Sequence, residues 1–325
     1  MKKTYRQSLK DQNILLIGGS GFIGSHLAEI LIKKKINQLV VIDNLSVGKK
    51  ENLKKILNKI IFIKKNAENS KILENIIKKY NIDYVFNLAT LALPFSFKLP
   101  RKTFETNVKI VLNLLELLKK KKFSSLCHFS TSEVYGTSVY KPMDENHPTN
   151  PTTTYAAGKL AADKAVISYN KMFNIDAFIV RPFNNYGPRQ PILINEIGVI
   201  PKTLKRIYSN KNPIIYGDGN QERDFIFVKD TVNYVVNAFT RVPPGEEINI
   251  CSNNPIQIKK LIEVIKNITK TEGKTSFKKK RIADVFSHHG DNKKLKKLIK
   301  IKKNNFKKNM IETINFYMKY LKNEK

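Results

Sequence analysis

The sequence NILLIGGSGFIG at residues 13–24 joins a short apolar run to a turn in which glycines at 18, 21 and 24 follow the spacing of a phosphate-binding loop. The apolar run has the length of a buried strand, and residues 22–34 repeat apolar side chains at helical spacing. Glycines in such a turn allow a sharp bend, a close approach to a pyrophosphate and tight packing of the helix on the sheet. The phosphates would then meet free N–H groups at the helix N-terminus. The cofactor-binding residues predicted here are Gly18, Gly21, Phe22, Ile23 and Gly24.

An acidic residue ends the next predicted strand, LVVID at residues 39–43. Asp43 follows Gly24 by 19 residues, close to the distance at which such an acid accepts hydrogen bonds from the adenosine ribose hydroxyls. The same carboxylate would repel a 2′-phosphate, so we predict NAD rather than NADP as the cofactor. The alternative is a glycine turn in some other α/β fold, and the strand before the turn and the acid after it favour the dinucleotide site.

Short apolar runs alternate with helical patterns through the first half of the chain. This alternation predicts an α/β fold, a Rossmann-type doubly wound parallel sheet over residues 1–181. Prolines and glycines become frequent after residue 181, which predicts a smaller C-terminal α/β substrate lobe over 182–325, with a segment near 220–245 returning to the first domain. The predicted strands of the first domain lie at 13–18, 39–43, 60–63, 83–89, 125–130 and 176–181.

Composition excludes several classes of protein. The 325 residues are 41% hydrophobic and 26% charged, which is enough apolar material for a packed core. No apolar run approaches the ~18 residues needed to cross a bilayer. Cys127 and Cys251 are too few for a disulfide framework, and His288 and His289 are adjacent rather than at ligand spacing, so no metal site is predicted. We expect a cytoplasmic protein with no membrane partner.

The formal net charge of +32 raises the question of a nucleic-acid partner. Only eight of the 59 basic residues are arginine, whereas groove readers depend on arginine because its planar fork clamps phosphate and reads guanine. A surplus of lysine favours a solvated surface, and we predict no nucleic-acid partner. The positive potential would still attract an anionic small substrate.

A tyrosine and a lysine stand four residues apart in YAAGK at residues 155–159. On a helix Tyr155 and Lys159 share one face, and a lysine charge beside a phenol lowers its pKa and makes it a usable base. The pair opens a predicted helix after STSEVYG at residues 130–136, which follows the fifth strand. Ligands in such sheets bind beyond the carboxyl ends of the strands, so both segments are expected to face the cofactor.

Five segments, GGSGFIG, STSEVYG, YAAGK, RPFNNYGPRQ and YGDGNQERDFIFV, follow the order and rough spacing of the extended short-chain dehydrogenases. The chain resembles their NAD-dependent sugar-nucleotide epimerase/dehydratase family over nearly its whole length. The resemblance implies a nucleoside-diphosphate (NDP) sugar as substrate, a transient 4-keto intermediate, and a homodimer through helices at 103–121 and 155–173. It implies that Thr131 polarises the sugar 4-oxygen, Tyr155 removes the 4-hydroxyl proton and Lys159 holds the nicotinamide ribose. The further substrate contacts that it implies are Asn184, Arg223 and Arg281 with Asp284.

Some positions depart from the family pattern or stay ambiguous. Asn66 stands where the family often has an Asp near the adenine, and it still offers an acceptor to the cofactor. Residues 87–90 read NLAT rather than HLAA, and Gly158 replaces the usual serine before the catalytic lysine. None of these changes removes a reacting group. Arg189 is either a surface charge or a second anion contact in the substrate site.

Three reactions share oxidation at the sugar C4 as their first step. A 4,6-dehydratase also needs a base for the C5 proton and an acid for the C6 oxygen, and Glu133 could serve as both. The Thr-Ser-Glu triplet resembles GDP-mannose-type dehydratases and uronate decarboxylases, but the latter typically carry an Arg just before the Tyr, and residues 150–154 have none. We therefore expect an NDP-hexose 4,6-dehydratase, then an NDP-sugar 4-epimerase, then a UDP-glucuronate decarboxylase. A non-catalytic NAD-binding scaffold and a lysine-rich RNA-associated protein are the alternatives outside this enzyme class.

Overall fold

The computed structural model describes residues 3–192, 198–280 and 285–323. Over these residues the strands are β1 (Asn13–Ile17), β2 (Gln38–Asp43), β3 (Ile61–Lys64), β4 (Tyr84–Asn87), β5 (Ser125–Phe129), β6 (Ala177–Pro182), β7 (Asn184–Tyr186), β8 (Ile214–Tyr216), β9 (Glu222–Phe227), β10 (Glu247–Ile250), β11 (Pro255–Gln257), β12 (Ser276–Lys278) and β13 (Ser287–His288). The helices are α1 (Phe22–Lys33), α2 (Ser70–Lys79), α3 (Leu93–Ser96), α4 (Pro100–Lys119), α5 (Thr154–Phe173), α6 (Val199–Tyr208), α7 (Val228–Ala238), α8 (Ile258–Thr269), α9 (Lys293–Leu298) and α10 (Phe306–Asn323).

The larger sheet has the strand order β10-β6-β5-β4-β1-β2-β3, seven strands within the described part of the chain. Neighbouring strands pair in parallel throughout. The chain moves outward from β1 in one direction through β2 and β3, and in the other through β4, β5 and β6. This reversal beside β1 creates the crevice in which doubly wound folds bind their ligands. The predicted Rossmann-type fold class is confirmed.

Helices cover both faces of this sheet, so its central strands are almost continuously buried. On one face, apolar residues of α1 and α7 pack with Leu16 and Phe239. On the other face, residues of α2, α4 and α5 pack with Leu15 and Ile17. A fully buried aliphatic side chain stabilises the fold by ~1.5–3 kcal/mol relative to its exposed state, so these two layers hold the carboxyl ends of the strands in place.

The second lobe has its own sheet and its own core. β9 pairs with β7, β11 and β13, and β8 pairs with β12. Buried residues of α6, α8 and α10, among them Leu204, Leu261 and Tyr317, pack against this lobe. The chain returns to the first sheet after β9. β9 stays in the second lobe because its backbone pairs there, whereas α7 packs against α1 and β10 pairs with β6.

The lysine-dense C-terminal part is helical over α9 and α10. Its buried side chains, such as Leu295 and Met310, anchor these helices, while the lysines stay outside. Across the three described ranges, we find no helix with the length and apolarity needed to cross a membrane.

Candidate active site

The glycine-rich loop between β1 and α1 is shaped to receive an anion. Gly18 has a φ of +78°, and a Cβ placed on Gly24 would lie 2.2 Å from the Gly18 carbonyl oxygen. α1 starts directly after Gly21, with no side-chain cap and no acidic residue in its first turn. The first N–H groups of the helix are therefore left for a negatively charged ligand, which the helix dipole also favours.

Asp43 ties the end of β2 to this loop. Its Oδ2 accepts a hydrogen bond from the Ser20 N–H at 2.9 Å, and its Oδ1 accepts one from the Leu45 N–H at 2.8 Å. Burial raises the pKa of Asp43, and these backbone hydrogen bonds oppose the shift. Because a carboxylate has about four acceptor sites, Asp43 keeps capacity for ribose hydroxyls.

The cofactor-binding residues predicted from the sequence meet around one cavity of about 520 Å³. Asn66, just beyond β3, lies on its wall, and the Asn66 Oδ1 accepts a hydrogen bond from the Glu68 N–H at 3.0 Å. The uncapped helix N-terminus, the glycine cradle and the acid of β2 fit a dinucleotide without a 2′-phosphate. The predicted residues on this wall are Gly18, Gly21, Phe22, Ile23, Gly24, Asp43, Asn66, Thr131, Tyr155 and Lys159.

The Tyr-Lys pair lies in the first turns of α5, at the inner end of this cavity. Thr153 caps the helix by accepting the Ala156 N–H on its hydroxyl at 3.2 Å, which fixes where Tyr155 begins the helix. Thr131 lines the same cavity as Tyr155, and its hydroxyl lowers the pKa of the Tyr155 phenol. Lys159 is 2% exposed, and its Nζ donates to the carbonyl oxygen of Phe129 at 2.6 Å. The structure thus brings Thr131, Tyr155 and Lys159 together as predicted.

Burial dominates the electrostatics of this pair. It raises the pKa of Tyr155 to about 12, although hydrogen bonds from Thr131 and Thr90 lower it. It also lowers the pKa of Lys159 to about 8, against the opposing charge of Asp163. The sequence argument expected the lysine to leave Tyr155 with a lowered pKa. Without bound ligands the pKa of Tyr155 is instead raised, because the removal of the phenol from water outweighs the effects that lower this pKa.

Asp163 is a buried residue of this site that the sequence analysis missed. It lies one turn beyond Lys159 on α5, is fully buried, and accepts hydrogen bonds from the Ser130 hydroxyl at 2.8 Å and from Arg181 Nε at 3.0 Å. Arg181 also donates to the Tyr135 hydroxyl at 3.0 Å. The i, i+4 spacing from Lys159 was the signal that could have found it. His128 of β5 is fully buried, with its Nε2 3.7 Å from Asp163 Oδ1.

Gly158 marks the closest approach of α4 to α5. A Cβ on Gly158 would lie 3.0 Å from both the Cα and the carbonyl oxygen of Phe104. The serine usual at this position would crowd the backbone of α4. Glycine at this position is therefore explained by the close packing of the two helices.

A second cavity of about 950 Å³ opens between the two lobes. Thr131 and Tyr155 line both cavities, so the two meet at the Tyr-Lys pair. The structure brings five predicted substrate and catalytic residues to the second cavity, namely Thr131, Glu133, Tyr155, Asn184 and Arg223. It adds polar residues that the sequence analysis did not assign, namely Lys202, Arg206, Tyr216, Gln221 and Lys280. We call this second cavity the substrate cleft.

The cations of the substrate cleft come from three elements or their flanks. Arg223 Nη1 donates to the Glu222 carbonyl at 2.9 Å, which orients its guanidinium on β9. Lys202 and Arg206 share one face of α6, and Lys202 Nζ donates to the Tyr216 hydroxyl at 3.0 Å. Lys280 follows β12. The i, i+4 spacing of the two α6 residues was visible in the sequence, but not that α6 faces the cleft.

The remaining predicted substrate contacts are Arg189 and Arg281 with Asp284. Arg189 forms an ion pair with Glu29 of α1 and lines a separate small cavity of about 80 Å³ beside α10, so the structure does not bring it into the substrate cleft. The ion pair with α1 accounts for its position. Arg281 and Asp284 lie outside the described residues.

The fold and the two joined cavities define a Rossmann-type protein that binds a dinucleotide beside a Tyr-Lys pair. Comparison of sequences agrees: the NAD dependent epimerase/dehydratase family matches residues 14–251. The chain belongs to this family, and its cofactor is NAD. The family membership that the sequence motifs indicate is confirmed.

Individual relatives carry different reaction names. The chain is 32% identical over 286 residues, 88% of its length and 92% of the relative's, to a Methanocaldococcus jannaschii protein that is provisionally named UDP-glucose 4-epimerase. It is 36% identical to dTDP-D-glucose 4,6-dehydratase of Dictyostelium discoideum, across 68% of this chain and 54% of that protein. Among solved structures, UDP-N-acetylglucosamine 4-epimerase of Methanobrevibacter ruminantium M1, in complex with UDP-N-acetylmuramic acid, superposes with a TM-score of 0.88. It is 31% identical, and the match covers 96% of this chain and 99% of that one.

Proposed function

We propose that the protein is an NDP-hexose 4,6-dehydratase that works through a transient 4-keto sugar. The observation that carries the proposal is the carboxylate of Glu133, which lines the substrate cleft with Thr131 and Tyr155. The Glu133 N–H donates to the Thr131 hydroxyl at 3.3 Å, so the two side chains are set by one turn at residues 132–135. An enzyme that only oxidises and reduces C4 has no need of this carboxylate.

The first step, oxidation at C4, uses Tyr155, Lys159 and Thr131. Tyr155 takes the proton from the sugar 4-hydroxyl while the Thr131 hydroxyl holds the 4-oxygen. Tyr155 must ionise to do this, and its raised pKa requires positive charge close by. Lys159 supplies such a charge on the same helix face, with its ammonium fixed by the Phe129 carbonyl. Bound NAD supplies the hydride acceptor for C4 and, later, the hydride donor for C6.

Glu133 carries the elimination. The 4-keto group makes the C5 proton acidic, and the Glu133 carboxylate removes it as the C6–O bond breaks. The proton then passes from the carboxyl to the departing hydroxyl, which leaves as water. When C6 receives its hydride, C5 takes a proton exchanged with solvent, so the sugar has lost one water and its oxidation state is balanced. Glu133 thus acts as base and then as acid.

The charges of the substrate cleft favour a nucleotide sugar. Arg223 on β9 suits the diphosphate, and Asn184 on the neighbouring β7 suits the sugar nucleotide. Lys202, Arg206 and Lys280 add to the positive potential of the same cleft. These side chains are held by the second lobe, whereas the reacting groups are held by the first. Two relatives and a neighbouring structure are named for reactions on UDP or dTDP sugars, which supports this substrate class.

The second candidate reaction is 4-epimerisation, favoured by the names of the M. jannaschii and M. ruminantium proteins. It would use Thr131, Tyr155 and Lys159 without proton chemistry at C5. The third candidate, decarboxylation of a UDP-glucuronate, lacks the arginine expected in residues 150–154 to bind the carboxylate. The presence of Glu133 in the substrate cleft therefore favours dehydration over 4-epimerisation and decarboxylation.

We also propose that the protein is a homodimer through α4 and α5. Many apolar residues of these helices are buried inside the subunit, among them Ile110, Leu114 and Val166. Two apolar side chains eight residues apart remain toward solvent on α4, since Phe104 and Leu112 are 38% and 37% exposed. Pairing these side chains with their symmetry mates would cover them in an isologous contact.

Glu133→Gln tests the proposed reaction. The amide cannot take the C5 proton, so C4 oxidation should continue and the 6-deoxy product should be lost. We would mix the variant with dTDP-glucose, UDP-glucose and UDP-N-acetylglucosamine and follow reduced-nicotinamide absorbance and product mass. Reduced nicotinamide should accumulate without loss of water from the sugar. Glu74→Gln, on the outer surface of α2, is the matched control and should behave as wild type. Formation of the 4-keto-6-deoxy product by Glu133→Gln at the wild-type rate would contradict the proposal.

A further inference from the structure

A buried histidine lies behind Glu133. His288 is on β13, in register with Arg223 of β9, and its side chain is fully buried. Its Nε2 lies 3.0 Å from the carbonyl oxygen of Gly136. A carbonyl only accepts hydrogen bonds, so Nε2 carries the hydrogen, and in the neutral ring Nδ1 is an acceptor. The fold thus fixes which nitrogen of His288 is left without a hydrogen.

That second nitrogen faces the proposed base. His288 Nδ1 is buried and has no hydrogen-bond partner in the described ranges, and Glu133 Oε1 is 3.9 Å away. This separation is too long for a hydrogen bond, but Glu133 has rotatable bonds and catalytic contacts often tighten only when substrate binds. An unprotonated imidazole nitrogen and a carboxylate are both acceptors. They attract each other only when one proton lies between them.

The other groups around His288 keep the ring neutral. Burial lowers the pKa of His288, and the positive charge of Arg223 lowers it further. The carboxylate of Glu133 raises this pKa, as does the hydrogen bond to Gly136. The ring of Phe183 packs near the imidazole, with centroids 5.9 Å apart. Near neutral pH the imidazole therefore offers a lone pair toward Glu133 rather than a positive charge.

We propose that His288 is a positioning residue that shares one proton with Glu133. In terms of the proposed dehydration, on which this role rests, the shared proton is the one that Glu133 removes from C5. It stays between Glu133 Oε1 and His288 Nδ1 until the departing C6 hydroxyl takes it, so no other reactant is needed. A pair that shares a proton binds it more tightly than a lone carboxylate, which stabilises the protonated form of Glu133 between its two tasks.

Two substitutions separate the two nitrogens of His288. In His288→Gln the side-chain amide keeps a donor where Nε2 lies, so the hydrogen bond to Gly136 survives and the acceptor facing Glu133 is removed. In His288→Asn the amide oxygen replaces Nδ1 as an acceptor, while the bond to Gly136 is lost. The matched control is His289→Gln, since His289 is the next residue, just beyond β13, and has its Nε2 2.8 Å from Asn253 Oδ1.

The shared proton is tested first without turnover, by nitrogen-15 NMR of the full-length, histidine-labelled protein. The signals of His288 and His289 are assigned from the two Gln variants. In wild type we expect His288 to carry its hydrogen on Nε2, and its titration midpoint to fall by about one pH unit in Glu133→Gln, as expected when a carboxylate within ~4–6 Å is removed. The midpoint of His289 should not move. Equal midpoints for His288 in wild type and Glu133→Gln would overturn the inference, whatever reaction the enzyme catalyses.

Kinetics then test the positioning role. With the sugar nucleotide that wild type converts, His288→Gln should slow solvent deuterium entry at C5 by about tenfold, less than the ~10²–10⁴ expected for an acid–base group itself, while reduced nicotinamide forms at the wild-type rate. The acid limb of the turnover–pH profile should move to lower pH, because Glu133 alone holds a proton less tightly. His288→Asn should recover part of the exchange. An equal loss of both steps would mean a structural role only. A wild-type enzyme without C5 exchange would overturn the proposed dehydration while leaving the NMR result intact.

Discussion

Tyr155 illustrates why a motif at the residue scale needs its surroundings. The Tyr-x-x-x-Lys spacing predicts that the two side chains share a helix face, and they do. It does not predict burial, which raises the pKa of the phenol to about 12. A phenol in this state is a weak acid until positive charge comes close to it. The ionisation that catalysis requires therefore depends on Lys159 and on the ligands, rather than on the pair alone.

We expect Tyr155→Phe to lower turnover by ~10²–10⁴-fold, the usual contribution of an acid–base group, because the ring stays and only the phenol oxygen is lost. Binding of NAD and of an NDP sugar should persist, which calorimetry would measure. The matched control is Tyr140→Phe, whose exposed hydroxyl donates to Asp144 Oδ1 at 2.6 Å. Near-wild-type turnover of Tyr155→Phe would remove Tyr155 from the role of base.

The residues predicted from the sequence are those whose chemistry follows from short spacing along the chain. The glycines, Asp43 and the Tyr-Lys pair belong to this group. Lys202, Arg206 and His288 meet the site only because the second lobe folds over the sheet. Their contacts join segments far apart in sequence, and no local pattern marks them. Arg189 is the opposite case. It belongs to a family motif, but it pairs with Glu29 instead of facing the substrate cleft.

At the scale of elements, β1, α1 and β2 form a unit that is specified almost entirely by local sequence. The predicted helix from Phe22 ends within one residue of its observed end, because its apolar face and its glycine start both have strong signals. The return of the chain from the second lobe to the first sheet is not specified locally in this way. β9 and α7 are consecutive, yet one pairs in the second lobe and the other packs on the first sheet. Strand pairing partners cannot be read from periodicity.

Gly24→Ala tests the fit of the loop to the cofactor. The added methyl would lie 2.2 Å from the Gly18 carbonyl, so the loop must shift, at a cost of ~1–3 kcal/mol typical of overpacking. We expect the folded variant to lose bound NAD, measured in the supernatant after denaturation, with its circular dichroism preserved. The control is Gly273→Ala, where the methyl meets only the tip of the Asn212 side chain. Equal NAD content in both variants would contradict the role of this loop.

At the scale of the whole molecule, the two lobes divide the work. The first sheet holds the cofactor cavity and the reacting groups, and the second lobe supplies most of the cations of the substrate cleft. The net charge of +32 is spread mainly over lysines, many of them exposed. Such a charge raises the local concentration of anionic ligands and makes their association rate fall with salt.

The proposed dimer is tested by Leu112→Glu on α4. A charge at this site would be buried unpaired at the contact, so the variant should be a monomer by light scattering at micromolar concentration. Ile311→Glu is the control, because Ile311 on α10 is 38% exposed, against 37% for Leu112, but lies outside α4 and α5. A monomeric wild type, or a Leu112→Glu variant that stays dimeric, would contradict the interface.

The most direct test of the proposed reaction is the mass of the sugar formed by wild-type enzyme in deuterium oxide. We would supply dTDP-glucose, UDP-glucose and UDP-N-acetylglucosamine in turn and analyse each product by mass spectrometry and NMR. Dehydration with Glu133 as base predicts a 4-keto-6-deoxy sugar that has lost one water and carries one solvent deuterium at C5. A product of unchanged mass, inverted at C4 and free of solvent deuterium, would contradict the account and establish the 4-epimerase.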